Sequence, residues 1–242
     1  MAASRQEVNR KTLTDQVADL IAGLIRERGL HAGDALPATA ELSESFNVSR
    51  PVVREAIAEL AGRGLLRRHQ GRESVVTVPG SDHLERLFSY RIENAGISDE
   101  DLQEYRECVE VAAARLAARN ATDEDVTRLE QRVEVMRSAR RRGELLDADV
   151  ELHRAVAQAG RNELLILTLD AITPLLRSTR AKVWQGLLSA GIARTAIVDN
   201  HAEIVARIRE RDQDGAAAAM EAHLRDARLA LEAHAKKRRQ RQ

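Results

Sequence analysis

Apolar positions in the N-terminal part of the chain recur with two different periods. Leu13, Val17, Leu20, Ile21, Leu24 and Ile25 are spaced to fall on one side of a helix, and Gly29, Gly33 and Asp34 then end it. Two short helical patterns follow at residues 40–46 and 51–61, separated by Asn47, Val48 and Ser49. Ser49 suits an N-cap and Pro51 a first turn. In the second of these helices Val53, Ile57 and Leu60 form the buried stripe, which leaves Arg50 and Arg54, four residues apart, together on the opposite face. After Gly62 and Gly64 the period drops to two, over residues 65–69 and 74–78, about Gln70, Gly71 and Arg72. This is the pattern of a β-hairpin with a basic tip.

From about Ser81 the helical period returns and continues to the tail. Asn94, Ala95 and Gly96 make residues 80–97 read as a linker. Ser98 starts a helix carrying Leu102, Tyr105, Val109, Ala113 and Leu116, and Thr122, with Asp125 three residues on, caps the next, 126–141. Further helical patterns cover 145–159, 162–176, 177–188, 194–211 and 215–235. The expected fold is mainly α: a winged helix-turn-helix at 11–79, the linker, and an all-α antiparallel helical bundle at 98–235. Residues 1–10 read as a disordered N-terminus and 236–242 as a basic tail.

Composition narrows the classes further. Aromatic residues make up only 2% of the chain, so the core must be packed from Leu, Val, Ile and Ala. The N-terminal stretch lacks the apolar centre of a signal peptide, and the most apolar run, LLILTLDAITPLL, is too short for a span and contains Asp170. The expectation is a soluble cytoplasmic protein with no membrane partner. Cys108 is the single cysteine, so no intrachain disulfide can form, in keeping with a reducing compartment. Net charge is zero, which by itself argues against nucleic acid, but its distribution does not. Arg50, Arg54, Arg63, Arg67, Arg68 and Arg72 face only Glu55 and Glu59 in that segment, and the tail KKRRQR is basic. Arginines at the start of the second helix suit the major groove of duplex DNA, and a basic hairpin suits phosphate or the minor groove. The competing reading is a solvated face with Arg50 and Arg54 paired to Glu55 or Glu59.

The second feature is buried polarity. In DADVELHRAVAQAG, Asp149 and His153 lie on the same side as Leu152 and Val156. His201 shares a stripe with Ile197, Ile204, Val205 and Ile208, and His223 shares one with Ala216, Met220, Leu224 and Ala227. Each histidine alone is more often a hydrogen-bonded core residue. An inward Asp and three inward His converging from separate helices are instead a ligand set for a divalent transition metal, with a position left for water or substrate. A metal-dependent hydrolase is therefore the competing class. Against it, HAE at His201 lacks the PCxxC partner of a zinc deaminase, no Glu-x-x-His pair supports a di-iron bundle, and Cys108 has no nucleophilic context, so the expectation is no enzyme.

The run GDALPATAELSESFNVSRPVVREAIAELAGRGLLRRHQGRESVVTV resembles the DNA-binding domain of GntR-superfamily transcription regulators, with helices, turn and wing in order. The resemblance implies DNA contacts from Ser49, Arg50, Pro51, Val52 and Arg54, and from Gln70 and Gly71 at the wing tip. Asp149-x3-His153 followed by His201 and His223, with YRECVE, AARNAT, Gly160-Arg161-Asn162 and AHL around them, resembles the metal-binding FCD effector domain of the FadR subfamily. That implies a metal on Asp149, His153, His201 and His223, zinc first with nickel or manganese as alternatives, holding a small organic acid such as a sugar acid or hydroxycarboxylate. Arg106 is implied to complete carboxylate recognition, the alternative being a salt bridge to Glu110, and Trp184 to line the pocket floor, the alternative being simple packing. The whole is then expected to be a homodimeric repressor of a short palindromic double-stranded operator, released by its effector.

Overall fold

A computed structural model describes residues 11–69 and 72–239; Gln70 and Gly71, the expected disordered segment 1–10 and the end of the tail lie outside the described residues. The chain divides into two compact units, Met1–His83 and Leu84–Gln242.

The first unit contains α1 (Leu13–Glu27), α2 (Thr39–Ser45), α3 (Arg50–Gly62), β1 (Leu66–Arg67) and β2 (Val75–Val76). Thr12 caps α1 in a reciprocal box with Asp15. The buried stripe of α1 is narrower than expected: Val17, Ala18 and Ile21 pack inward, whereas Leu13 and Leu20 stay about half exposed. α1 packs on α3, whose Val53, Ala56, Ile57 and Leu60 complete the core. Ser49 occupies the N-cap position of α3 with extended backbone, but its side chain makes no capping bond. An N-cap oxygen accepts from the second or third helical N–H, and Pro51 removes the first of these donors. The two strands pair antiparallel, Leu66 with Val76 and Arg67 with Val75. Ala35 bridges to Val75 on the other side, and the Leu36 amide donates to the Ser74 carbonyl. The base of the wing is thus tied into the core, where Leu36 is buried.

The second unit is helical throughout. Residues 81–95, expected as linker, form helix α4 (Ser81–Ala95), and the division between the units falls inside it. There follow α5 (Asp99–Asn120), α6 (Asp123–Ser138), α7 (Arg142–Gly160), α8 (Glu163–Ser189), α9 (Arg194–Arg209) and α10 (Gln213–Arg239). Ser98 with Asp101 and Thr122 with Asp125 form capping boxes at α5 and α6, and Arg161, with φ of 55°, ends α7 in the left-handed conformation. α5 and α10 are the central pair; α7 packs on α5, α8 on α7 and α10, and α9 on α6 and α10. Small residues set the spacing. A methyl group on Gly186 of α8 would sit 2.3 Å from the carbonyl oxygen of Ala230 on α10, so the two backbones are in direct contact there. The two helices expected at 162–176 and 177–188 are one, running through Pro174. Proline costs a helix interior ~3 kcal/mol. It is accommodated because Leu169, Ile172, Leu176, Thr179, Arg180, Val183, Trp184 and Leu187 continue a single buried stripe on both sides of it. Among the described residues no helix is long and apolar enough to cross a membrane.

Candidate metal centre and nucleic-acid interface

In the first unit the start of α3 presents Ser49, Arg50, Pro51 and Arg54 to solvent, while Val52 is half-buried against the core. Among the described residues Arg50 and Arg54 form no ion pair. The two acids of that segment are engaged elsewhere: Glu59 pairs with Arg63, and Glu55 accepts from the Thr14 hydroxyl at 3.2 Å. Arg67, Arg68 and Arg72 are exposed on the wing. Gln70 and Gly71, expected at its tip, lie outside the described residues. The two helix arginines are therefore unneutralised donors beside a helix N-terminus, which is what an anionic duplex meets favourably.

In the second unit Asp149 and His153 project from α7, His201 from α9 and His223 from α10. All four are buried, and one ligand atom from each lies within 4.8 Å of the others. The ring centroids of His201 and His223 are 4.2 Å apart, and those of His153 are 5.4 and 5.2 Å from them. His201 Nδ1 donates to the Ile197 carbonyl at 2.7 Å, which turns Nε2 toward Asp149 Oδ1 at 3.1 Å. His153 Nε2 is buried with no hydrogen-bond partner and faces the same oxygen at 3.9 Å.

The protonation states suit ligation. Burial opposes ionisation of Asp149, but Arg180 and the hydrogen bond from His201 outweigh it and hold the carboxyl well below its ordinary range. Burial lowers His153 to about 4 against the opposing pull of Glu110. Burial, then the neighbouring His201 and His153, push His223 well below its ordinary value. At neutral pH Asp149 is therefore a carboxylate and His153 and His223 are neutral imidazoles, the forms that bind a metal without first losing a proton. An orphaned imidazole nitrogen beside a carboxylate, with oxygen and nitrogen donors only, fits a divalent transition ion.

A ring of charge surrounds the four. Arg180 on α8, which sequence reasoning missed, donates from Nη1 to Asp149 Oδ2 at 2.7 Å and from Nη2 to Glu110 Oε1 at 3.1 Å. Arg106 makes the salt bridge named as its alternative, from Nε to Glu110 Oε1 at 2.8 Å, and a further bond to Gln103. Arg106, Asp149, Arg180, Trp184 and His223 line a cavity of about 10 Å³, closed by Val183, Leu187, Ile197 and Ala227. That is room for one water-sized group. A signal for Arg180 was present in the chain: residues 180, 183, 184 and 187 share one helical face, the other three being apolar.

Residues 13–76 match the profile of the bacterial regulatory proteins, gntR family, and residues 101–226 that of the FCD domain. The chain is 31% identical to the HTH-type transcriptional repressor NanR of an Enterobacter species over 91% of its own length and 85% of the relative's. The chain belongs to the GntR family. It is 32% identical to the NanR repressor of Cronobacter sakazakii, over 91% and 85% of the two chains. Among solved structures it superposes on a Streptococcus agalactiae GntR protein with a TM-score of 0.69 at 28% identity, covering 90% of this chain and 99% of that one. GntR proteins are DNA-binding transcription regulators rather than enzymes, so the hydrolase reading of the buried cluster is set aside. The mainly helical fold, winged helix-turn-helix before FCD bundle, is the one this family carries.

Proposed function

We propose that this GntR regulator is a cytoplasmic, homodimeric repressor of the FadR subfamily, released from a short palindromic operator by a small organic acid bound at a divalent metal. The observation that carries the reading is the convergence of Asp149, His153, His201 and His223 inside an effector domain. Zinc is the first choice, with nickel and manganese as alternatives, since imidazole-rich sites with one carboxylate accept all three. A bound ion supplies fixed positive charge and an open coordination position for an anion. Around it, Arg106 and Arg180 offer guanidinium donors for a carboxylate, and Trp184 an apolar wall. A sugar acid or hydroxycarboxylate is larger than the present cavity, so its entry parts the lining helices. That movement is the work a ligand must do to favour the released state. In the first unit Ser49, Arg50, Pro51, Val52 and Arg54, with Gln70 and Gly71, are the proposed DNA contacts, and two copies match the two halves of an inverted repeat.

The test is operator affinity of the zinc-loaded protein across a panel of sugar acids and hydroxycarboxylates, with thermal shift measured in parallel. One acid should both raise the melting temperature and weaken operator binding, and chelation should abolish both effects. A panel member that releases DNA from chelator-treated protein equally well would overturn the metal as effector site.

A further inference from the structure

The proposed ligand histidines need their lone pairs aimed into the cluster, and the chain achieves this in two ways. For His201 the device is backbone: the Ile197 carbonyl accepts from Nδ1, which leaves Nε2 as the nitrogen turned to the cluster. For His153 no carbonyl is available. Its Nδ1 instead lies against Oε2 of Glu110, on the neighbouring helix α5, an ion-pair contact short of a regular hydrogen bond in which neither buried atom has another partner.

We propose that Glu110 is the positioning residue that holds His153 as the Nδ1–H tautomer and so presents Nε2 to Asp149, His201 and His223. The inference rests on the metal reading above for its purpose, but not for its geometry. A carboxylate only accepts, so the nitrogen against it must carry the hydrogen. Glu110 itself is 2% exposed and cannot swing away, because Oε1 is held by Arg106 at 2.8 Å and by Arg180 at 3.1 Å. The same arginine reaches Asp149. Glu110 and Arg180 therefore join His153 and Asp149 through a second path besides their shared helix.

This arrangement makes the amide substitution informative. In Glu110→Gln the two arginines, which can only donate, claim the single amide oxygen, and the NH2 group is left facing His153 Nδ1. That nitrogen must then accept, and the ring hydrogen moves to Nε2, into the cluster. An almost isosteric change thus inverts the tautomer without removing a metal ligand. Orienting partners of this kind typically affect metal affinity by about 10- to 100-fold.

The experiment uses the full chain labelled with 15N-histidine. In metal-free wild type, long-range 1H–15N spectra should show His153 protonated at Nδ1; finding the hydrogen on Nε2 overturns the proposal with no variant needed. Glu110→Gln should show the hydrogen on Nε2 and bind Co2+ and Zn2+ about 10- to 100-fold more weakly, and Glu110→Asp should return the wild-type tautomer. A folded Glu110→Gln protein that keeps both the Nδ1–H tautomer and wild-type cobalt affinity also overturns it. If wild type binds neither ion, the metal reading fails while the tautomer measurement still decides the role of Glu110.

Discussion

Arg180 Nη1 donates to Asp149 Oδ2 at 2.7 Å, binding α8 to a fully buried carboxylate on α7. The pair is not a surface embellishment: both side chains are about one-twentieth exposed or less. Removing one member of such a pair strands the other charge, at a cost of ~3–5 kcal/mol. Arg180→Met should therefore destabilise the metal-free protein by about that amount in denaturant unfolding. Zinc should recover part of the loss, because an ion beside Asp149 restores positive charge there. A variant as stable as wild type would mean that Asp149 is neutral in the metal-free protein.

The histidines give acid sensitivity a defined window. An unfolded chain protonates His153 and His223 near the ordinary value of 6.5, whereas the folded one holds His153 down to about 4 and His223 well below its ordinary value. As pH falls below 6.5 the unfolded state takes up protons that the folded state refuses, so stability declines. The slope is ~1.4 kcal/mol per pH unit for each such histidine. Above pH 7 both states hold the rings neutral and this contribution is flat. Asp149 and Glu110, held low, are ionised in both states through the same window and do not oppose the trend. Melting curves of metal-free protein at closely spaced pH values between 7 and 5 measure the slope. A level profile would show that these imidazoles titrate as solvent-exposed groups do.

Arg54→Ala should remove specific operator binding while leaving the fold intact, since the side chain is exposed and carries no ion pair among the described residues. The expected loss is ~1–3 kcal/mol at the affected base step. Gel-shift titration against the specific site and against unrelated duplex separates the outcomes. An equal loss on both would make Arg54 a phosphate contact rather than a base reader.

His223→Ala should lose metal and effector response together, because a site with two imidazoles is a much poorer one, yet keep operator binding, whose residues lie in the other unit. Releasing DNA a hundredfold needs a ligand preference of ~2.7 kcal/mol for the released state. Operator affinity with and without the best thermal-shift acid, on protein checked by elemental analysis, is the measurement. A metal-free His223→Ala protein that still responds like wild type would separate the effector from the cluster.

The four-residue cluster was legible in the sequence because a polar residue on an apolar stripe breaks a strong pattern, and Asp149, His153, His201 and His223 each do so on a well-formed helix. Arg180 breaks a stripe too, with Val183, Trp184 and Leu187 on its own face, but an arginine is long enough to carry its charge from such a face to solvent, so the pattern alone does not mark it as buried. Asn94 and Gly96, which give residues 80–97 the look of a linker, mark only the C-terminal end of helix α4. Ser49 suits an N-cap by residue type, yet its side chain makes no capping bond, and Pro51 leaves it only the third helical N–H as a donor. Leu13 and Leu20 fit the helical period of α1 but lie at the margins of its stripe, where the partner helix α3 does not cover them. What hydrophobic period cannot supply is which neighbour a buried charge finds. The contacts among Glu110, Arg180 and His153 join α5, α8 and α7 and exist only once those helices pack.

Trp184 is the only tryptophan in the chain, and it stands in the wall of the cavity shared by Arg106, Asp149, Arg180 and His223. Selective excitation of indole emission therefore interrogates this one chamber and nothing else in the molecule. Its emission colour reports whether water has entered, and quenching by Co2+ or Ni2+ reports an ion nearby. The protein carries its own optical gauge for the chamber, with no label to add and no residue to replace.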